Sequence, residues 1–161
     1  CEASLRRLGR EAIDLYYLHA VDERVPIEES VGALARLRER GWIRELGVSN
    51  VTLAQLERAA AVAPIVAVQN EASPYRPGWD EDGVLGWCEA HGAAFVAHSP
   101  MGGWRAGETS HLPELAAAAE ARGLTPFQLL LVRLLERSEA VIPIPGASRP
   151  ENVRASAAVV G

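Results

Sequence analysis

The sequence contains no lysine. All 16 of its basic residues are arginine, so chemistry that turns on a lysine amine (a Schiff base, a P-loop, a proton relay) is closed to these 161 residues by themselves. Cysteine is scarce: Cys1 and Cys88 are too few for a disulfide framework or a metal cluster, and they read as reduced thiols in a cytoplasmic protein. No trio of His, Cys, Asp or Glu stands at metal-ligand spacing, so no metal is expected. Apolar runs never approach the ~20 residues of a membrane span, and no basic-then-apolar leader opens the sequence. Neither a membrane nor secretion is expected. Positive charge is also short: 16 basic against 21 acidic residues leave a net charge of -5. No basic stripe offers itself to a phosphate backbone, and nucleic acid is not an expected partner. The sequence starts at Cys1 and stops at Gly161, directly after Ala157-Ala158-Val159-Val160, and both ends read as cut.

What is present is the material of a globular core, 48% hydrophobic and 23% charged. Short apolar runs alternate with longer amphipathic ones. Residues 13–18 read as a buried strand, 27–40 as a helix closed by Gly41, and 43–48 as a second strand. Thr52 is positioned to cap a helix through about residue 61. Strands follow at 65–68 and 93–97, separated by a helix at 81–91 that Gly92 stops. A long loop over 101–111 leads to a helix at 113–122, and Thr125-Pro126 starts another through about 137. A fifth strand at 140–144 and a helix from Pro150 complete the series.

Five strand-helix cycles in 161 residues is about 32 per cycle, the size of a βαβ unit. Strands apolar on both faces imply parallel pairing under helices. The expected fold is therefore α/β, a (β/α)8 barrel that is incomplete, because a closed barrel takes ~250 residues. In such folds the site lies at the carboxyl ends of the strands. Those ends carry His19, then Ser49-Asn50, then Gln69-Asn70-Glu71, then His98-Ser99-Pro100, then Pro145-Gly146-Ala147-Ser148-Arg149. Amides and hydroxyls suit a carboxamide or a sugar, and a glycine turn before a helix suits a phosphate. Trp87 falls on the apolar side of its helix and reads as core; Trp104, in the long loop, is a candidate for lining a channel. His91 and His111 read as surface residues.

Seven stretches together resemble the signatures of one family, the aldo-keto reductases. They are Ser4-Leu-Arg-Arg-Leu-Gly9, Ile13-Asp-Leu-Tyr-Tyr-Leu-His19, Gly41-Trp-Ile-Arg-Glu-Leu-Gly-Val-Ser-Asn50, Val68-Gln-Asn-Glu71, Ser99-Pro-Met-Gly102, Thr125-Pro-Phe-Gln-Leu129 and Ile142-Pro-Ile-Pro-Gly146. They stand in the family's order, and the likeness covers the whole sequence as one domain, 1–161, from just before the family's fourth strand to just after its eighth, with the N-terminal strands missing. The resemblance implies reduction of a small-molecule carbonyl, aldehyde or ketone, to an alcohol with NADPH, or with NAD(H) as the alternative cofactor. It puts His19 at the position of the catalytic histidine and Ser49, Asn50 and Gln69 at the nicotinamide carboxamide. Ser99, Met101 and Gly102 match the loop along the diphosphate. Gly146, Ala147, Ser148, Arg149 and Asn152 match the segment around the adenosine phosphate, where Arg149 would favour NADP by pairing with a 2′-phosphate.

The departures matter as much. The family's proton-donating tyrosine, its lysine and an aspartate have no counterpart here, and Tyr16 and Tyr17 are strand residues that do not take that role. His98 stands where a tyrosine stacks on the nicotinamide, and Ala155 and Ser156 replace a Glu-Asn pair near the adenine. Alone, the chain is expected to be inactive, to need the missing half or to associate with itself through exposed strand edges. The alternative is a non-catalytic NADP(H)-binding module or redox-sensing partner subunit.

Overall fold

A computed structural model describes residues 1–160. They divide into two compact units, Cys1–Asn70 with Glu81–Ala94, and Glu71–Asp80 with Phe95 onward.

The first unit opens with helix α1 (Glu2–Leu8), which ends on Gly9 at φ 61°. The sequence shows no amphipathic stripe there because α1 buries none of its residues. Strand β1 (Ile13–Leu18) pairs in parallel with β2 (Ile43–Ser49), Ile13 opposite Ile43 and Leu18 opposite Val48. β2 pairs in parallel with β3 (Ala67–Glu71), Ser49 opposite Gln69. Helices α2 (Ile27–Glu39), α3 (Leu53–Ala60) and α4 (Val84–His91) supply the covering layer. Val31, Leu46, Val48, Leu56, Val68, Val84 and Leu85 are wholly removed from solvent, each contributing about 1.5–3 kcal/mol of transfer free energy. Outside this core Arg58 of α3 reaches Glu28 of α2 at 2.6 Å.

One sequence expectation fails in β1. It reads as buried on both faces, yet no residue of it is buried and Leu15 is 37% exposed. The reason is position: β1 lies at the end of the strand order, with β2 beside it and no other strand among the described residues. Tyr17 packs flat across β2, its ring occupying the space a Cβ on Gly47 would need, which is why glycine stands opposite it. Trp87 also departs from expectation. It is half-buried and stacks on His91 one turn along α4, ring centroids 4.1 Å apart, instead of entering the core.

In the second unit β4 (Ala94–His98) pairs in parallel with β5 (Val141–Pro143), Phe95 opposite Val141 and Ala97 opposite Pro143. The stretch read as a loop over 101–111 holds a 3-10 turn at Gly103–Arg105 and a four-residue helix, α5 (Ala106–Thr109). Both are too short to leave a periodic pattern in the sequence. Helix α6 (Pro113–Glu120) sets Leu115 and Ala119 against Leu129 of α7 (Pro126–Arg137). Thr125 and Gln128 close a reciprocal capping box at the start of α7. Helix α8 (Pro150–Ala157) buries none of its residues. No helix among the described residues is long and apolar enough to cross a membrane.

Candidate functional site

The candidate residues fall into a cluster in each unit. In the first, they stand at the carboxyl ends of β1, β2 and β3. Ser49 is buried and its hydroxyl donates to the Gln69 backbone carbonyl at 2.7 Å. The Asn50 backbone N–H donates to the same carbonyl at 3.0 Å. Asn50 takes φ +56°, a left-handed conformation that asparagine tolerates better than most residues. Its Nδ2 donates to the His19 backbone carbonyl at 2.9 Å and to Ser49 Oγ at 3.1 Å. Ser49 thus both fixes the strand ends and orients Asn50, while the His19 imidazole follows β1 on an exposed residue.

Beneath this rim lies Asn70, absent from the expected site residues. It is 1% exposed, accepts from the Val51 N–H at 3.1 Å and donates to the Val51 carbonyl at 2.7 Å. The signal was there in the Val68-Gln-Asn-Glu71 stretch, but burial, which separates a framework amide from a ligand-facing one, is not written in a motif. Burial also pushes the Tyr17 phenol above its usual value, in keeping with a packing role.

In the second unit β4 ends at His98, whose Nδ1 lies 3.1 Å from Ser99 Oγ, and Ser99 takes φ +56°. The turn that follows is held at Gly102, φ +96°, where a Cβ would strike the Thr109 hydroxyl and the Tyr75 ring. The Arg105 guanidinium lies 3.7 Å over that ring and pairs with Glu108 at 2.8 Å.

Beside this turn opens a cavity of about 620 Å³, a size suited to a small organic ligand or part of a cofactor. Six expected residues line it: Ser99, Met101, Gly146, Ala147, Ser148 and Asn152. Ala155 and Ser156, read as adenine-side positions, line it too. Arg149 lies instead on an adjoining recess of about 450 Å³, together with Ser148 and Arg154. His98 and Gly102 are not on the lining of the cavity, nor is Trp104, which is 92% exposed, although Gly103 and Ala106 near it are. Sequence reasoning missed Thr125, Phe127 and Gln128 as site residues: they also line the cavity, but their stretch reads in the sequence as a helix start and a family-like signature, with no ligand assigned to it.

The lining mixes apolar side chains (Phe127, Ile144, Ala147 and Ala155 among them) with hydroxyl and amide groups from Ser99, Ser148, Gln128 and Asn152. Two arginines stand on the adjoining recess. That donor set can take an aromatic ring on one side and phosphate oxygens on the other. Among the described residues no group of three His, Cys, Asp or Glu side chains could hold a metal ion.

A sequence model of the Aldo/keto reductase family matches residues 1–160. A protein of Glycine max described as probable aldo-keto reductase 1 is 34% identical over 180 residues, covering 95% of this chain and 52% of the relative. The chain thus spans about half the length of that curated relative. Among solved structures, a thermostable aldo-keto reductase in complex with the inhibitor epalrestat superposes with a TM-score of 0.88 and 32% identity, covering 99% of this chain and 58% of that one. An aldo/keto reductase of Klebsiella pneumoniae in complex with NADP and acetate gives a TM-score of 0.86 and 32% identity, covering 99% and 57%. The fold is thus α/β of the (β/α)8 type, incomplete, with five parallel strands alternating with helices.

Proposed function

The chain belongs to the aldo-keto reductase family, and on that premise we propose that it binds NADP(H) and, through His19, places a small-molecule carbonyl for reduction to an alcohol. The observation that carries the reading is the 620 Å³ cavity of the second unit, lined by six residues expected to meet the cofactor. Its lining fits the adenosine end of a dinucleotide, with an apolar wall for the base and hydroxyls and amides for the ribose and phosphates. Bound NADPH would supply the hydride.

The chain's own residues bind and orient. Ser99, Met101 and Gly102 follow the diphosphate, and Gly146, Ala147, Ser148 and Asn152 enclose the adenosine phosphate. Arg149 pairs with a 2′-phosphate, which favours NADP over NAD. Asn50, fixed by Ser49 and by the His19 carbonyl, addresses the carboxamide with Gln69, and His98 takes the stacking place at the nicotinamide. The His19 imidazole, on an exposed residue, orients the substrate oxygen and assists proton delivery to it. In this reading the residues form one cytoplasmic reductase domain, to which strands preceding β1 also belong, together with a tyrosine, a lysine and an aspartate.

A second reading is binding without turnover, as a redox-sensing module or partner subunit. What favours it is the cavity itself, whose lining offers groups that bind a nucleotide and, among the described residues, no titratable side chain.

Titration with NADPH, followed by nicotinamide fluorescence, tests both. The expected result is saturable binding, weaker for NADH by at least about tenfold, with Arg149→Ala closing most of that gap. A chain that binds neither cofactor overturns both readings. Binding with no NADPH oxidation across a panel of aldehydes and ketones, even when a family-type front half is supplied, leaves the binding module.

A further inference from the structure

Helix α8 carries Asn152, Ala155 and Ser156 into the cavity wall, yet it buries no residue of its own. Packing behind it is incomplete. On that side a second, almost wholly apolar cavity of about 420 Å³ lies between α8 and the side chains of Leu131, Leu135 and Val141. A helix with open space on both sides needs another restraint, and Gln128 provides one. Gln128 Oε1 accepts from the Thr125 N–H at 3.0 Å and from its hydroxyl at 3.1 Å, closing the cap of α7. Its Nε2 donates to the Ala155 carbonyl at 3.1 Å, in the last turn of α8, where carbonyls run out of intrahelical partners. A single amide therefore joins the start of α7 to the end of α8, and it stands on the cavity lining itself.

We propose that Gln128 is the positioning residue that holds α8 as a wall of the nucleotide cavity, an inference that rests on the cofactor reading above. The amide is required in both halves, the oxygen for one helix and the NH2 for the other. Glutamate at this position keeps the cap, since Glu serves the same capping box. It cannot donate to Ala155, and it sets a carboxylate against a carbonyl.

Gln128→Glu therefore separates the two roles. The probe is adenosine 2′,5′-bisphosphate, titrated calorimetrically on the full chain, with hydrogen exchange of the α8 amides read in parallel. The expected result is affinity about five- to tenfold weaker in Gln128→Glu, the loss of one hydrogen bond's worth of positioning. The melting temperature should stay near wild type, and α8 exchange should be faster in the free variant. In wild type the probe should slow exchange in α8. Gln128→Ala should show the same affinity loss together with a lower melting temperature, because the α7 cap is lost as well. Unchanged affinity with faster α8 exchange overturns the inference, leaving Gln128 a structural cap, and unchanged exchange overturns it too. A wild-type chain that binds no probe overturns the cofactor reading and this inference with it, and is told apart by the absence of any wild-type signal.

Discussion

Asn70 closes the Val51 backbone with both halves of its amide, accepting from the N–H at 3.1 Å and donating to the carbonyl at 2.7 Å, out of reach of solvent. Removing it would strand a buried donor and a buried acceptor at once, and such groups cost more unpaired than they contribute paired. Asn70→Ala should therefore destabilise the chain by about 2–4 kcal/mol, read as a shift of the urea midpoint at constant slope. A change below about 0.5 kcal/mol would mean that water reaches Val51 and that the rim is not dry. The neighbouring residues show what a sequence can and cannot tell at this scale. Asn50 and Gln69 were legible because a strand end followed by amides is a pattern. That Ser49 is committed to the Gln69 carbonyl was not legible, since its partner lies twenty residues away.

Among the elements, α2, β2, α3 and α7 stand where their periodicity and caps put them. Thr52 and Thr125 both close capping boxes, three residues before a glutamine in each case. What escaped is what has no period. α1 buries nothing, and β1 reads as core because its residues are apolar, although only its place at the sheet edge decides how much is covered. The turn after β4 belongs to the same class. Its geometry rests on Gly102 at φ +96°, pressed against Thr109 and Tyr75, with Arg105 stacked over the tyrosine. Gly102→Ala adds left-handed strain and a collision with a buried hydroxyl, and is expected to cost about 2 kcal/mol or more. Because Ser99 and Met101 line the cavity from this turn, the same variant should weaken NADPH binding. Calorimetric melting and an NADPH titration on one preparation would test both. An unchanged melting temperature would show that the turn relaxes without cost.

For the molecule as a whole, the lack of lysine shapes the response to pH. Hydrogen bonds from Arg24, Arg58, Arg137 and Arg122 hold Asp22, Glu28, Asp80 and Glu136 below the usual carboxylate range. Each contributes stability above its unfolded value of about 4 and loses it as pH falls through the lower folded value. Asp22, Glu28 and Glu136 are substantially exposed and Asp80 partly so, so that acid limb should be shallow and should weaken further in salt. On the alkaline side the arginines stay charged, and no lysine is there to lose its proton near pH 10. Two buried acids hold their protons above their usual values there: Tyr17, whose window opens only above about pH 10, and, at lower pH, Cys88, wholly buried in the first unit, its thiol pushed up to about 12, chiefly by loss of solvent and then by the charges of Glu89 and Asp82. An unfolded cysteine ionises near 8.5 while the folded one keeps its proton, so the thiol's contribution is complete below about pH 8.5 and is lost as pH rises toward 12. Stability should therefore fall by up to about 1.4 kcal/mol per pH unit in that window, the linkage of one proton. Cys88→Ala should lower the neutral plateau through the cavity it leaves, and should flatten the alkaline slope. Urea titrations at pH 7, 9 and 10 on both proteins decide the matter. Parallel slopes would place the alkaline loss elsewhere, and a thiol reagent that labels Cys88 in the native chain as fast as a free cysteine would show that the core around it opens.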